Sequence, residues 1–369
     1  MTGHYMKDFL LPVMGKKARR AILVILSNLI IAIILFALLE LAYRIRVDGF
    51  FNAFANIINY YSVPYSNLGT SNWVIYDAEL GYRLNPKRLN INSRSVRHEE
   101  IVLPKPQGTY RIIVLGDSVP WDKNGFVDYV REQLNGLGRY EVINASVPGY
   151  TSYQELLFFK RYLFETNPDL VIWTYCLNDN YKFLHQFDEK ARMLVTEEAR
   201  KTLTIDSSGD FLISRSYILS WLRIKIMAKK QQEKENTGSR FVWETQTDFN
   251  IAWKDYSWRS YEDYLKEMLG LLAQKNTKLA VVVFPYEPQL DYRHDTSNYD
   301  YAVKPQRILN ALCEKYRVRC LDMYPVFSPF YDKGQKLFRD GIHLNDHGHR
   351  VTAETIHEFL LKNQLVPPN

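Results

Sequence analysis

Four short segments hold the residues whose types could do chemistry together. Gly116-Asp117-Ser118 follows the apolar run RIIVL (111–115), and Asp340-Gly341-Ile342-His343 stands just before a final helical pattern. A serine hydroxyl is a weak nucleophile at its own pKa. It needs a neighbouring base, and a histidine base needs a carboxylate to fix its tautomer and stabilise the imidazolium. Asp340 and His343, three residues apart, can share one tight turn and supply both partners to Ser118. Acyl transfer also needs donors aimed where negative charge develops. Asn144-Ala145-Ser146-Val147-Pro148-Gly149 offers the Gly149 amide, where the chain can approach closely, and Cys176-Leu177-Asn178-Asp179 offers the side-chain amide of Asn178. Each segment alone also has an ordinary reading: a turn with a helix cap for Gly-Asp-Ser, an N-cap for Asp340, a surface imidazole for His343, plain loops for the other two. A metal site from His343, His347 and His349 is disfavoured, because the last two open a helix and diverge and no matching ligand cluster occurs elsewhere. The expectation is no metal and no cofactor.

The elements that must position these residues form a regular series. Apolar, β-branched runs at 111–115, 140–145, 169–176, 278–284 and 317–323 alternate with helical patterns at about 125–137, 150–165, 258–275, 303–316 and 346–362. Unbroken apolar strands separated by helices predict a parallel sheet covered on both faces. In an open parallel sheet, ligands bind beyond the carboxyl ends of the strands, which is where the polar segments fall.

Taken together and in this order, the segments resemble the blocks of the SGNH or GDSL-type serine hydrolase family over roughly residues 106 to 365. GDS (116–118), the Gly149 loop, CLND (176–179) and DGIH (340–343) match its four blocks, followed by the family-like spacing of Asn345 and Gly348. The resemblance implies a three-layer α/β/α fold with a five-stranded, flavodoxin-like parallel sheet. It implies Ser118 as nucleophile, His343 as base and then acid, Asp340 as its orienter, and the Ser118 amide, Gly149 amide and Asn178 side chain as oxyanion donors. One departure stands out: the third block normally begins with Gly, and this chain has Cys176, which should alter the pocket wall and leave the donor in place. Neither a G-x-S-x-G elbow nor a P-loop pattern occurs, which removes the α/β-hydrolase and nucleotide-phosphate alternatives.

The 369 residues, 46% hydrophobic and 24% charged with 3 Cys, are enough for a full core and exclude disorder and a disulfide-stapled miniprotein. Of the net charge of +6, five charges lie in the first 46 residues, so the near-neutral body offers nucleic acid no basic face. Ala21 to Leu39 carries no charge over 19 residues, long enough to span a bilayer, and continues without a small-residue cleavage pattern. A retained signal anchor over 21–43 is expected. The basic cluster before it (Lys16, Lys17, Arg19, Arg20) puts the N-terminus in the cytoplasm and the body outside the inner membrane. The expected organisation is a cytoplasmic basic tail (1–20), the anchor (21–43), a connector (44–105) and a hydrolase-like domain (106–369) with an insertion at about 181–257. Within the insertion, Leu219, Leu222 and Ile226 share a helical face with basic neighbours. A helix packed on its own domain is the favoured reading there, an interfacial membrane helix the other. Cys313 and Cys320 flank a helix-to-strand turn, and free buried thiols are preferred over a bridge.

The expected activity is a two-step serine acyl transfer that cleaves an O-acyl, preferably O-acetyl, ester of a cell-envelope glycan. An O-acyltransferase would use the same triad, a lipid ester is the second substrate class, and a catalytically silent glycan-assembly module is the alternative of another kind. Protein partners are not specified by the sequence.

Overall fold

The computed structural model describes residues 16–48, 50, 73–88, 90–135, 139–188, 193–196, 216, 218, 219, 222, 251–291 and 299–367, and the statements below concern these. Two compact units are formed, Met1–Ser71 with Ile205–Lys229, and Asn72–Thr204 with Lys230–Asn369.

The first unit contains α1 (Lys16–Asp48). Its stretch Arg20–Arg46 includes an 18-residue window with a mean hydropathy of 3.1 and is long and apolar enough to cross a membrane. Near its end Glu40 accepts hydrogen bonds from Arg44 Nε (2.8 Å) and, within the same unit, from Ser216 Oγ (2.8 Å) and the Ile218 amide (3.0 Å). Part of the insertion is thereby joined to the apolar helix. The basic residues expected to flank that segment, from Arg223 onward, lie outside the described residues.

The second unit carries the sheet. Its strands are β1 (Val74–Asp77), β2 (Gly81–Leu84), β3 (Tyr110–Leu115), β4 (Tyr140–Asn144), β5 (Leu170–Tyr175), β6 (His185–Asp188), β7 (Met193–Thr196), β8 (Lys278–Val283) and β9 (Arg319–Asp322). Five of them form one parallel sheet in the order β4-β3-β5-β8-β9, the flavodoxin-like order in which the first strand in the chain lies inside the second. Every residue of β5 is buried, as are five of six in β3 and β8, which accounts for their continuous apolar sequences. The flanking helices are α2 (Phe126–Asn135), α3 (Ser152–Phe158), α4 (Asp255–Ala273), α5 (Glu287–Asp291), α6 (Tyr299–Ala302), α7 (Lys304–Tyr316), α8 (Tyr324–Asp332) and α9 (Asp346–Lys362). Among them α2 packs with α9, α3 with α4 and α5 with α8. The fold class is the three-layer one expected.

Three features refine or correct the sequence reading. The pattern at 150–165 is not one α-helix: α3 runs into a π-helical turn (Phe159–Leu163) and a short 3-10 turn (Phe164–Thr166), a route that buries Phe158, Phe159 and Leu163. Part of the expected connector folds as the antiparallel hairpin β1–β2 and belongs to the sheet-bearing unit, because Leu80, Tyr82 and Leu84 are buried there. Cys313 and Cys320 are joined as a disulfide across the α7–β9 turn, their Cα atoms 6.1 Å apart, in place of two free thiols.

Candidate active site

Ser118 sits where the chain leaves β3. A Cβ on Gly116 would lie 2.0 Å from Thr174 Oγ1 of β5 and 2.5 Å from the Pro120 side chain, so only glycine lets the backbone turn off the sheet edge here. Asp117 points inward, its carboxylate accepting from the Val119 amide (2.9 Å) and from Asn178 Nδ2 (3.2 Å). That leaves Ser118 partly exposed at the surface of the turn.

The DGIH segment meets it from the far end of the chain. His343 Nε2 lies 2.8 Å from Ser118 Oγ, and His343 Nδ1 lies 2.9 and 3.0 Å from the two oxygens of Asp340. With Nδ1 facing a carboxylate, the neutral ring carries its proton there and turns the Nε2 lone pair toward the serine hydroxyl. Spacing explains the geometry. Asp340 Oδ1 also accepts the amides of His343 (2.8 Å) and Ile342 (3.2 Å), so the acid both shapes the turn and orients the base. Asn345 then caps α9, its side chain accepting from the Gly348 amide at 2.9 Å.

Burial alone would push the Asp340 carboxyl up, but the hydrogen bonds and positive charge of His343 outweigh it and hold the group at about 2. Burial pulls the His343 imidazole down, and the hydrogen bond and charge of Asp340, with the charge of Asp117, outweigh that and raise it above its ordinary 6.5, opposed by Arg339. In the role expected for His343, a base that must be neutral to take a proton, activity is expected to be lost as pH falls through the raised value. The expected kcat/KM profile rises with unit slope and levels off above pH 6.5, and Asp340→Asn moves that limb to lower pH. A pH–rate series on 4-nitrophenyl acetate checks this; an acid limb below 6.5 in the wild type contradicts it.

The two loops expected to supply further oxyanion donors are tied to the turn of Ser118, the Val147 amide donating to the Gly116 carbonyl at 2.9 Å and Asn178 Nδ2 to Asp117 at 3.2 Å. Gly149 follows β4 with φ +77°. Asn178 is buried in the turn after β5, which Asp179 holds by accepting the Cys176 amide at 2.8 Å. Cys176, expected to alter the pocket wall, instead belongs to the buried core, and burial followed by the charges of Asp117 and Asp179 pushes its thiol well up, leaving an inert side chain. His349, weighed with His343 and His347 as a ligand, has a different task. Its Nδ1 accepts the Phe126 amide at 3.2 Å and its Nε2 faces Asp122 at 3.2 Å. No group of three or more potential ligands converges on one point among the described residues.

Sequence reasoning missed Asp122 and Arg339. Arg339 Nη1 pairs with Asp122 at 2.9 Å, and its Nε lies 3.8 Å from Asp340, so this guanidinium ties the nucleophile's loop to the histidine's loop. The two are 217 residues apart and belong to no shared motif. It also missed Tyr82, whose hydroxyl donates to the Pro148 carbonyl at 2.9 Å, and His185, which packs on Gly149.

The family model for the GDSL-like lipase/acylhydrolase family matches residues 114–351, and no curated protein matches the chain. Solved structures that match the chain include the acetyl xylan esterase AlAXEase at 17% identity, covering 67% of this chain and 98% of that one with a TM-score of 0.42. A catalytic mutant of Axe2, an acetylxylan esterase from Geobacillus stearothermophilus, is 11% identical and covers 68% and 94% with a TM-score of 0.41. LAE5, a hydrolase from the metagenome of Lake Arreo in Spain, is 15% identical and covers 70% and 97% with a TM-score of 0.41. With more than half of its length matched by one model, the chain belongs to the GDSL-like lipase/acylhydrolase family of ester-cleaving hydrolases.

Proposed function

We propose that the chain is a membrane-anchored serine esterase that removes O-acetyl groups from a cell-envelope glycan, with Ser118, His343 and Asp340 as its triad. The observation that carries this reading is the continuous chain of contacts from Asp340 through His343 to Ser118 Oγ, at 2.9 and 2.8 Å. Ser118 Oγ attacks the ester carbonyl while His343 Nε2 takes its proton. The oxyanion is held by the Ser118 and Gly149 amides and the Asn178 side chain. The tetrahedral intermediate collapses to an acyl-serine, and His343 returns the proton to the departing sugar oxygen. Water then attacks with His343 as base, releasing acetate and restoring Ser118.

A glycan rather than a lipid is supported by an aromatic pair that includes Trp121, three residues after Ser118. Trp121, whose amide donates to the Ser118 carbonyl at 3.3 Å, meets Trp73 edge to face with centroids 6.4 Å apart. Arg97 lies over Trp121 at 4.1 Å and Arg88 over Trp73 at 4.7 Å. Trp173, Trp253 and Trp258 are fully buried, whereas this pair stays partly exposed. Indole and guanidinium groups together suit a sugar's apolar face and hydroxyls better than an acyl chain. Full-length protein in detergent is expected to deacetylate an acetylated xylo-oligosaccharide at least about 10-fold more efficiently than it cleaves 4-nitrophenyl decanoate. The reverse preference, measured as kcat/KM, would overturn the glycan reading.

The apolar part of α1, flanked by basic residues before it, supports an inner-membrane anchor at 21–43, with the hydrolase-like domain (106–369) and its 181–257 insertion outside the cytoplasm. Alkaline phosphatase fused after residue 60 is expected to be active in cells; an inactive fusion reverses the orientation.

A further inference from the structure

We infer that the hairpin β1–β2, which precedes the family-matched segment, is a working part of the oxyanion hole, with Tyr82 as a positioning residue that aims the Gly149 amide. The inference rests on the reading of Gly149 as an oxyanion donor.

The argument starts from peptide geometry. The Pro148 carbonyl and the Gly149 N–H belong to one planar trans unit and point in opposite directions. Fixing the oxygen therefore fixes the direction of the hydrogen. Tyr82 Oη donates to that oxygen at 2.9 Å. Gly149, at φ +77°, has no side chain of its own to hold this plane against a flip.

The anchor is rigid for reasons visible in its own contacts. Tyr82 is 0% exposed, so its hydroxyl needs a partner in place, and the Pro148 carbonyl supplies it. The two loops also hold each other in the reverse sense. Tyr150 Oη donates to the Tyr82 carbonyl at 2.6 Å, the two rings meet edge to face at 5.2 Å, and Gln154 Nε2 donates to the Leu80 carbonyl at 2.7 Å. Burial, with Asp117 nearby, pushes the Tyr82 phenol far above its ordinary value, so it remains a donor across the working pH range.

His185, from β6 in the insertion, approaches the same glycine. A Cβ on Gly149 would lie 2.7 Å from His185 Nδ1 and 2.9 Å from Tyr82 Oη, so both groups crowd the space a side chain would need and only glycine fits beside them. Burial holds this imidazole down at about 4, so it packs as a neutral ring. A domain cut to the family segment 114–351 would keep Gly149 and lose the group that aims it.

Tyr82→Phe keeps the ring and removes only the hydroxyl. With 4-nitrophenyl acetate and full-length protein, kcat is expected to fall about 10-fold with KM within about twofold, because a misaimed donor fails mainly in the transition state. Methylboronic acid, which forms a tetrahedral adduct on a nucleophilic serine, is expected to bind about 10-fold more weakly, a change that loss of packing alone would not produce. Unchanged kcat, or a loss confined to KM, overturns the inference while the esterase reading stands. A wild type with no Ser118-dependent turnover overturns both. Should Tyr82→Phe not fold, as judged by its melting transition, His185→Ala tests the second group packed on Gly149: a kcat loss of about threefold at constant KM supports the positioning of this loop from outside the family-matched segment's own blocks, and a wild-type kcat overturns it.

Discussion

Ser118→Ala is expected to lower kcat on 4-nitrophenyl acetate by on the order of 10⁴-fold or more, with little change in the melting transition. Ser118 is partly exposed and its Oγ has a hydrogen-bond partner in His343 Nε2 at 2.8 Å, so its removal is expected to break the proposed reaction and leave the packing of the turn intact. The turn itself is held elsewhere, by Gly116 against β5 and by Asp117 on the Val119 amide. His343→Ala should cost about as much, and the double variant no more than either, because a base with nothing to deprotonate and a nucleophile with no base are the same defect. Steady-state kinetics on the three proteins checks this. A Ser118→Ala protein within tenfold of wild type would place the chemistry on another residue.

Asn178→Ala is expected to lower kcat about 10²- to 10³-fold while KM changes little, the cost of one oxyanion donor. The side chain is well placed for this role. One Nδ2 hydrogen goes to Asp117 at 3.2 Å, which leaves the second for the developing negative charge. The turn that carries it is fixed independently of the side chain: Asp179 accepts the Cys176 amide at 2.8 Å, the Asp179 amide donates to the Cys176 carbonyl at 3.0 Å, and the Tyr181 amide donates to the Asn178 carbonyl at 3.2 Å. Asp117 is affected as well. Burial already raises its carboxyl, and losing the Asn178 hydrogen bond removes one of the groups that offset the burial. A kcat loss below about tenfold in the same assay would exclude Asn178 as a donor.

What could be read from the sequence follows from where each signal is written. The strands β3, β5 and β8 are legible because burial on both faces demands continuous apolar runs, β4 and the partly exposed edge strand β9 because they keep the strand–helix alternation, and α9 matches its expected limits because Asn345 and Gly348 mark its start. The catalytic segments are legible because each follows a strand or precedes a helix, so their place at one sheet edge comes with the fold class. The hairpin β1–β2 is not. Its strands are four residues each, and what fixes them is a set of contacts to Tyr150 and Gln154 more than sixty positions away. The same holds for Asp122 with Arg339, an ion pair made only after the chain has closed on itself. The Cys313–Cys320 bridge depends on a Cα separation that a spacing of seven residues does not determine.

The central claim is that Ser118, activated by His343, is the nucleophile. Treating full-length protein with a fluorophosphonate ester, followed by peptide mapping, tests it most directly. The expected result is one phosphonyl group on Ser118, loss of activity in proportion to labelling, and labelling that slows as pH falls through the raised His343 value. Label on another residue, or full activity with Ser118 labelled, would contradict the account.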